Sequence, residues 1–375
     1  MSSQSTIDSF FKSNNTSNTS NTSNTSNTNN TRKNTSKNTS NDETNMRNYF
    51  YLKWTNISSP EYEAVWLHDK PSKINFINQV KCDYIKKGFK FYICGYFPDY
   101  ENDEFTVCKE NKYNNIHFLK SHLQKNIRRK DCKRAIPTAL HLMKLDMNEF
   151  LRRMIIIHIE DTFLHKSMTT LLWLMIAYST KKFKMKRYIY EWLLGFVYIT
   201  CMTKKNDNYD KKIKNIDDDD DENINLEFIN FEKLNLTDEQ ISILYSLNIR
   251  IAYGGLLGDK IMLKKCSKLW KSRFINNTNI INMTKIRPIN IFVSELDINS
   301  WDNAAIDYHT NNNFVDFILK KFPEIESYEE IKKIIWYNSS GINHRNKNIE
   351  YKLEIWKNIE NYVIKMQKYL LETNY

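Results

Sequence analysis

The stretch "HIEDTFLH" places His158, Asp161 and His165 three and then four positions apart. On a continuous helix that spacing puts two imidazoles and a carboxylate on one face, a donor set suited to a divalent cation such as zinc. The same residues suit a purely structural network, in which Glu160 and Asp161 pair with Arg152, Arg153 or the N-terminus of a following helix. Two further clusters carry acid–base groups. "ELDINSWDNAAIDYH" offers Asp302, Asp307 and His309, and "NSSGINHR" offers Ser339, Ser340, His344 and Arg345. Brought together they could form an acid–base pocket. Read locally, Ser300 is an N-cap, Trp301, Ala304 and Ala305 are helix core, and the second cluster is a polar turn. These alternatives assign no catalytic residue, no metal and no cofactor.

Charge points elsewhere. The 375-residue chain carries a formal net charge of +11, which favours an anionic partner. Residues 117–205 hold 18 Lys and Arg against 6 Asp and Glu, so the excess is concentrated there. "KNIRRKDCKR" and "KKFKMKR" supply most of it. Arg128, Arg129, Lys133 and Arg134 are the strongest candidates for contacts to DNA phosphates, a mode of binding that reads no base sequence. A solubilising face on a helix bundle is the alternative.

Several elements must position these groups. Gly and Pro number only 7 and 6, which disfavours a turn-dense β-sandwich and favours helices. The expectation is a mainly α fold: a helical body, a small β-containing N-terminal unit and a disordered N-terminal tail. Residues 1–46 form the tail; from residue 12 onward it is a Ser/Asn/Thr coil with a root-mean-square reach of roughly 30–35 Å. Residues 47–115 read as a small α+β unit, because "NYFYLKWTNI" and "GFKFYICGYF" are aromatic and partly alternating. Residues 116–205 are the basic helical block, 206–225 a charged loop, and 226–375 a C-terminal helical region. Asp146 with Glu149, and Thr237 with Gln240, have the spacing of capping boxes, and Gly254–Gly255 reads as a helix stop. Apolar stretches near 168–178 and 188–202 are shorter than the roughly 20 residues a bilayer demands, so they read as buried helices and no membrane is expected. None of the six cysteines forms C-x-x-C, and no apolar leader is present. Both features suit a reducing compartment, nuclear or at a viral replication site, rather than secretion. The abundance of Lys, Asn and Ile suggests an AT-rich genome, as in some protists and large DNA viruses.

Near the start, Gln4, Ile7, Phe10 and Phe11 follow the spacing Q-x-x-I-x-x-F-F. In a single 3₁₀ turn, residues three apart eclipse, so Ile7 and Phe10 point together, with Phe11 beside them, as one apolar plug. Gln4 offers both a donor and an acceptor. This stretch resembles the PCNA-interacting box of replication and repair proteins, and every motif position is filled. The resemblance implies docking on a sliding clamp, with Lys12 favouring an acidic clamp surface.

A second likeness covers residues 117–161. Leu123, Lys125, Ile127, Arg128, Ala135, Ala139, Leu140, Arg152, Arg153, Glu160 and Asp161 stand where that stretch resembles the helical C-terminal region of the MgsA/RarA replication-fork ATPases. The resemblance implies a role at the replication fork and a homo-oligomer. The departures are as informative. No G-x-x-x-x-G-K-[ST] occurs, and "YGGLLGDK" lacks both the glycine spacing and the Lys-Ser/Thr ending, so ATP hydrolysis is not implied. Pro137 is expected to kink a helix that would otherwise continue. The combined expectation is a non-ATPase accessory protein of DNA replication or repair. The alternatives are a clamp-recruited, nuclease-like enzyme and a protein-interaction scaffold that touches no DNA.

Overall fold

A computed structural model describes residues 46–54, 61–82, 89–97, 115–204, 207, 231–276, 281–291, 312–325, 327–339 and 352–373. They belong to the second of two units, Thr44–Tyr375. The clamp-like motif at 4–11, nearly all of the spacer and most of the 206–225 loop lie outside the described residues, as do 302–309, Ser340, His344 and Arg345.

Four strands, β1 (Tyr49–Trp54), β2 (Tyr62–Leu67), β3 (Phe76–Cys82) and β4 (Phe89–Gly95), form a sheet of order β2-β1-β4-β3. β1–β2 and β3–β4 are antiparallel pairs, and β1 and β4 join them in parallel. Side chains alternate across the pleat, as the strand period demands. Phe50, Leu52, Tyr62, Ala64, Trp66, Phe91 and Ile93 are buried on one face. Sequence reading identified β1 and β4 by their aromatics but did not resolve β2 and β3.

Among the described residues ten α-helices follow. α1 (Ile116–Arg129) starts where the Asn115 side chain accepts the N–H groups of His117 and Phe118, and it stops at Lys130, whose φ of 62° is left-handed. Asp131 caps α2 (Cys132–Leu145) through the Arg134 N–H. Pro137 stands inside α2, and the helix continues past it. The carbonyl that loses its partner belongs to Lys133, which is exposed. Asp146 caps α3 (Met147–Asp161) by accepting the Glu149 N–H at 3.0 Å. The Glu149 carboxylate meets Lys120 Nζ at 2.6 Å, tying α3 to α1.

α4 (Met168–Ser179) and α5 (Arg187–Met202) are the two apolar stretches, and ten residues of each are buried. No helix among the described residues is long and apolar enough to cross a membrane. α6 (Asp238–Ala252) opens with a complete Thr237/Gln240 capping box, and Gly254 and Gly255 take φ of 77° and 135° just beyond its end. At such angles only glycine is unstrained. α7 is Leu257–Ile275; α8 (Asn312–Lys321), α9 (Tyr328–Ser339) and α10 (Leu353–Thr373) complete the chain.

The buried sheet face packs on α4 and α6. Ser242 Oγ accepts the Trp66 backbone N–H, and the Trp66 indole reaches Ser246 Oγ at 3.2 Å. A single apolar cluster runs from the strands through α1–α7. Apolar residues on both sides of position 115 belong to that cluster. Helices α8–α10 bury Phe314, Ile318, Ile334, Ile359 and Val363 among themselves.

Candidate functional site

The His158–Asp161–His165 constellation is brought together, but not as a ligand set. α3 ends at Asp161, so the face does not continue to His165. His158 Nε2 accepts the His165 N–H at 2.9 Å, and its Nδ1 lies 3.0 Å from Thr162 Oγ1. His165 Nδ1 accepts the Ser167 N–H at 3.1 Å, and Nε2 donates to the Thr284 carbonyl at 2.8 Å. All four ring nitrogens are occupied, leaving no lone pair directed at a shared point. Asp161 Oδ1 takes Arg128 Nε at 2.6 Å. Among the described residues, no group of three His, Cys, Asp or Glu could hold a metal ion.

This network has a pH signature. Burial pushes the His165 pKa down to about 4, with the Thr284 hydrogen bond opposing the shift and Lys166 adding to it. The unfolded value is about 6.5, so the unfolded chain binds this proton more readily. Stability from neutral His165 is complete above pH ~6.5 and is lost as pH falls towards 4, by about 3 kcal/mol in all. Urea unfolding across that window should show the slope, and His165→Gln should flatten it. A variant as steep as wild type would assign the slope to other groups.

The four phosphate-contact candidates sit at the α1–α2 corner with different commitments. Arg128 is buried; its Nη2 meets Glu160 Oε1 and its Nε meets Asp161 Oδ1, both at 2.6 Å. Arg129 Nη2 donates to the Ser339 carbonyl at 3.0 Å. Arg134 pairs with Asp131 at 2.5 Å, and Lys133 is exposed. A phosphate reaching Arg128 would have to displace two carboxylates. Arg128 also ties α1 to the end of α3. Of the polar loop at 338–345, Ser339 is described; its hydroxyl donates to the Ile335 carbonyl, closing α9.

A cleft of about 740 Å³ lies between α1, α3 and the α6–α7 turn. Lys120, Lys125, Arg128, Arg152, Arg153 and Arg250 line it against Glu149 and Asp259. Arg153 Nη2 donates to Gln124 Oε1, and Gln124 Nε2 donates to Glu160 and Asp161 at 2.8 and 3.1 Å. Burial and the neighbouring Asp161 raise the Glu160 pKa, against the pull of Arg128. Burial pushes the Glu149 carboxyl up, but Lys120, with Arg152 and His117, outweighs it and holds that carboxyl below its ordinary range.

At the inner end stands Arg250, 2% exposed. Its Nη1 donates to Gly254 O at 2.7 Å and its Nη2 to Arg152 O at 3.3 Å, while Nε has no partner. Burial first, and the charge of Arg152 second, push its pKa down to about 10, although Asp259 and Glu149 oppose the shift. Sequence reading marked Gly254–Gly255 as a helix stop and gave Arg250 no role. The available signal was a lone arginine in an otherwise apolar helix end beside two glycines. A packing corner forms in the last turn of α7. Arg273 stacks 4.5 Å over the Trp270 ring and grips Asp207 with both Nη atoms at 2.6 Å.

No family model matches the chain, and no significant match exists among curated proteins or solved structures.

Proposed function

We propose that the chain is a non-ATPase accessory protein of DNA replication or repair that docks on a sliding clamp and touches DNA through its basic helices. One observation carries the reading: Gln4, Ile7, Phe10 and Phe11 fill every position of a clamp-binding box, ahead of a Ser/Asn/Thr spacer with little to bury them. An aromatic pair entering a preformed apolar pocket is an efficient anchor. The tether then raises the body's effective concentration at DNA without a new contact. Arg128, Arg129, Lys133 and Arg134 are the residues proposed to meet phosphates, Arg128 in competition with its two carboxylates. The concentration of positive charge in residues 117–205 supports that part.

The test is recovery on immobilised sliding clamp of the full chain against its Phe10→Ala/Phe11→Ala variant. Recovery should fall to background for the variant, and equal recovery overturns the docking. In parallel, duplex DNA binding should weaken steeply as salt rises. A flat salt response removes the phosphate contacts.

A further inference from the structure

The Arg250 cleft shares Arg128 with the α1–α2 corner, and it holds a buried cation with no ion-pair partner among the described residues. A buried guanidinium ordinarily has a carboxylate against it, because an isolated buried charge is costly. Arg250 instead uses two of its five donors on backbone carbonyls and leaves Nε unpartnered, with no carboxylate within ion-pair distance among the described residues. Arg152 also lines the cleft and, among the described residues, is drawn to Glu149 without closing a salt bridge to it. The two positive groups lie close enough for Arg152 to depress the Arg250 pKa.

The volume falls within the usual span of small-ligand sites. Glu149 and Asp259 bound the cleft as well. Both carboxylates act on Arg250, and Arg152 acts on Glu149, but the cations of the lining outnumber them, so a single anionic group would find the two arginines short of ion-pair partners. Planar guanidinium forks match the oxygens of such a group.

We propose that this cleft binds the phosphate monoester of a nucleotide-sized ligand, with Arg250 and Arg152 as the phosphate donors. A free nucleotide and the 5′-phosphorylated end of a strand share that chemistry. The site goes beyond clamp docking and does not depend on Phe10 or Phe11.

Calorimetric titration of the full chain at pH 8, where the monoester is a dianion, tests the assignment. The probes are AMP, adenosine, and a single-stranded dodecamer with either a 5′-phosphate or a 5′-hydroxyl. AMP or the 5′-phosphorylated dodecamer should bind, and whichever binds identifies the source. Adenosine and the 5′-hydroxyl strand should bind at least about tenfold more weakly, the scale of a lost charge-assisted hydrogen bond. Arg152→Ser leaves the backbone carbonyl of residue 152 in place and should weaken binding by a similar factor. Arg250→Lys should do the same in protein whose thermal unfolding remains cooperative. Absence of heat with both phosphate probes, equal binding of adenosine and AMP, or unchanged binding by Arg152→Ser would each overturn the proposal.

Discussion

Trp173→Ala should lower stability by about 3–5 kcal/mol, the usual cost of emptying a large aromatic site in a core. Trp173 is fully buried on α4, and its indole N–H is shared between the carbonyls of Phe50 and Cys94 at 2.9 and 3.0 Å. Those residues belong to β1 and β4, so one side chain ties a helix to the parallel joint of the sheet. Its ring meets Phe76 and Phe183 edge-on at 5.8 and 5.2 Å. Gly95 permits the approach: a β-carbon there would stand 3.3 Å from Trp173 Cζ2 and 2.9 Å from Phe97. Natural domains keep only about 5–15 kcal/mol in reserve, so the substitution removes a large fraction of it. Chemical denaturation measures the loss. Trp173→Phe separates the two contributions, because it keeps most of the volume and forfeits only the N–H, at about 1–2 kcal/mol. Equal losses for both variants would mean that the hydrogen bonds, not the packing, hold the joint.

The second large effect is expected at Arg128. Arg128→Met retains a long apolar stem and deletes the charge facing Glu160 and Asp161. Breaking a buried pair costs about 3–5 kcal/mol; the lower end applies here, because Glu160 keeps 40% of its side chain exposed while Asp161 keeps 7%. Without the cation, the two carboxylates face each other. Loss of the cation that pulls the Glu160 pKa down lets it rise further, so the penalty is largest near pH 8 and shrinks as acid protonates that carboxyl. Unfolding curves at pH 8 and pH 5 measure both quantities. A variant with unchanged stability and lost DNA affinity would assign Arg128 to phosphate contact alone. Loss of stability with a pH-dependent penalty fits the clamp between α1 and α3.

Local grammar made much of the helical body legible. Asp146, Thr237 with Gln240, and Gly254–Gly255 mark helix ends through side-chain and backbone chemistry that operates within four residues. α4 and α5 were visible because they are apolar on nearly every side. β2 and β3 were harder. β2 interleaves Glu63 among its inward residues, and the edge strand β3 sets Asn78 on its inner face and exposes Ile77. The alternation is therefore diluted. Side-chain destinations were the least accessible. Arg128 reads as one more cation in a basic run, and only the approach of α3's last turn makes it an internal clamp. His158 and His165 show metal-like spacing, yet the helix stops between them and the backbone of the next turn occupies their nitrogens. The Arg250 cleft joins segments about a hundred residues apart, from α1 through α6, and no window of sequence contains it.

The arrangement of the sheet also bears on how the chain is made. β4 ends at Gly95, whereas α6, one of the two helices that shield its inner face, begins at Asp238, about 140 residues later. At translation speeds of roughly 5–20 residues per second, the strands emerge some 7–30 s before that cover exists. During that interval Trp66 and Phe91 have no permanent neighbour on α6, and the nascent strands are open to pairing with other polypeptides. The delay before that face is covered is built into the order of the chain's elements.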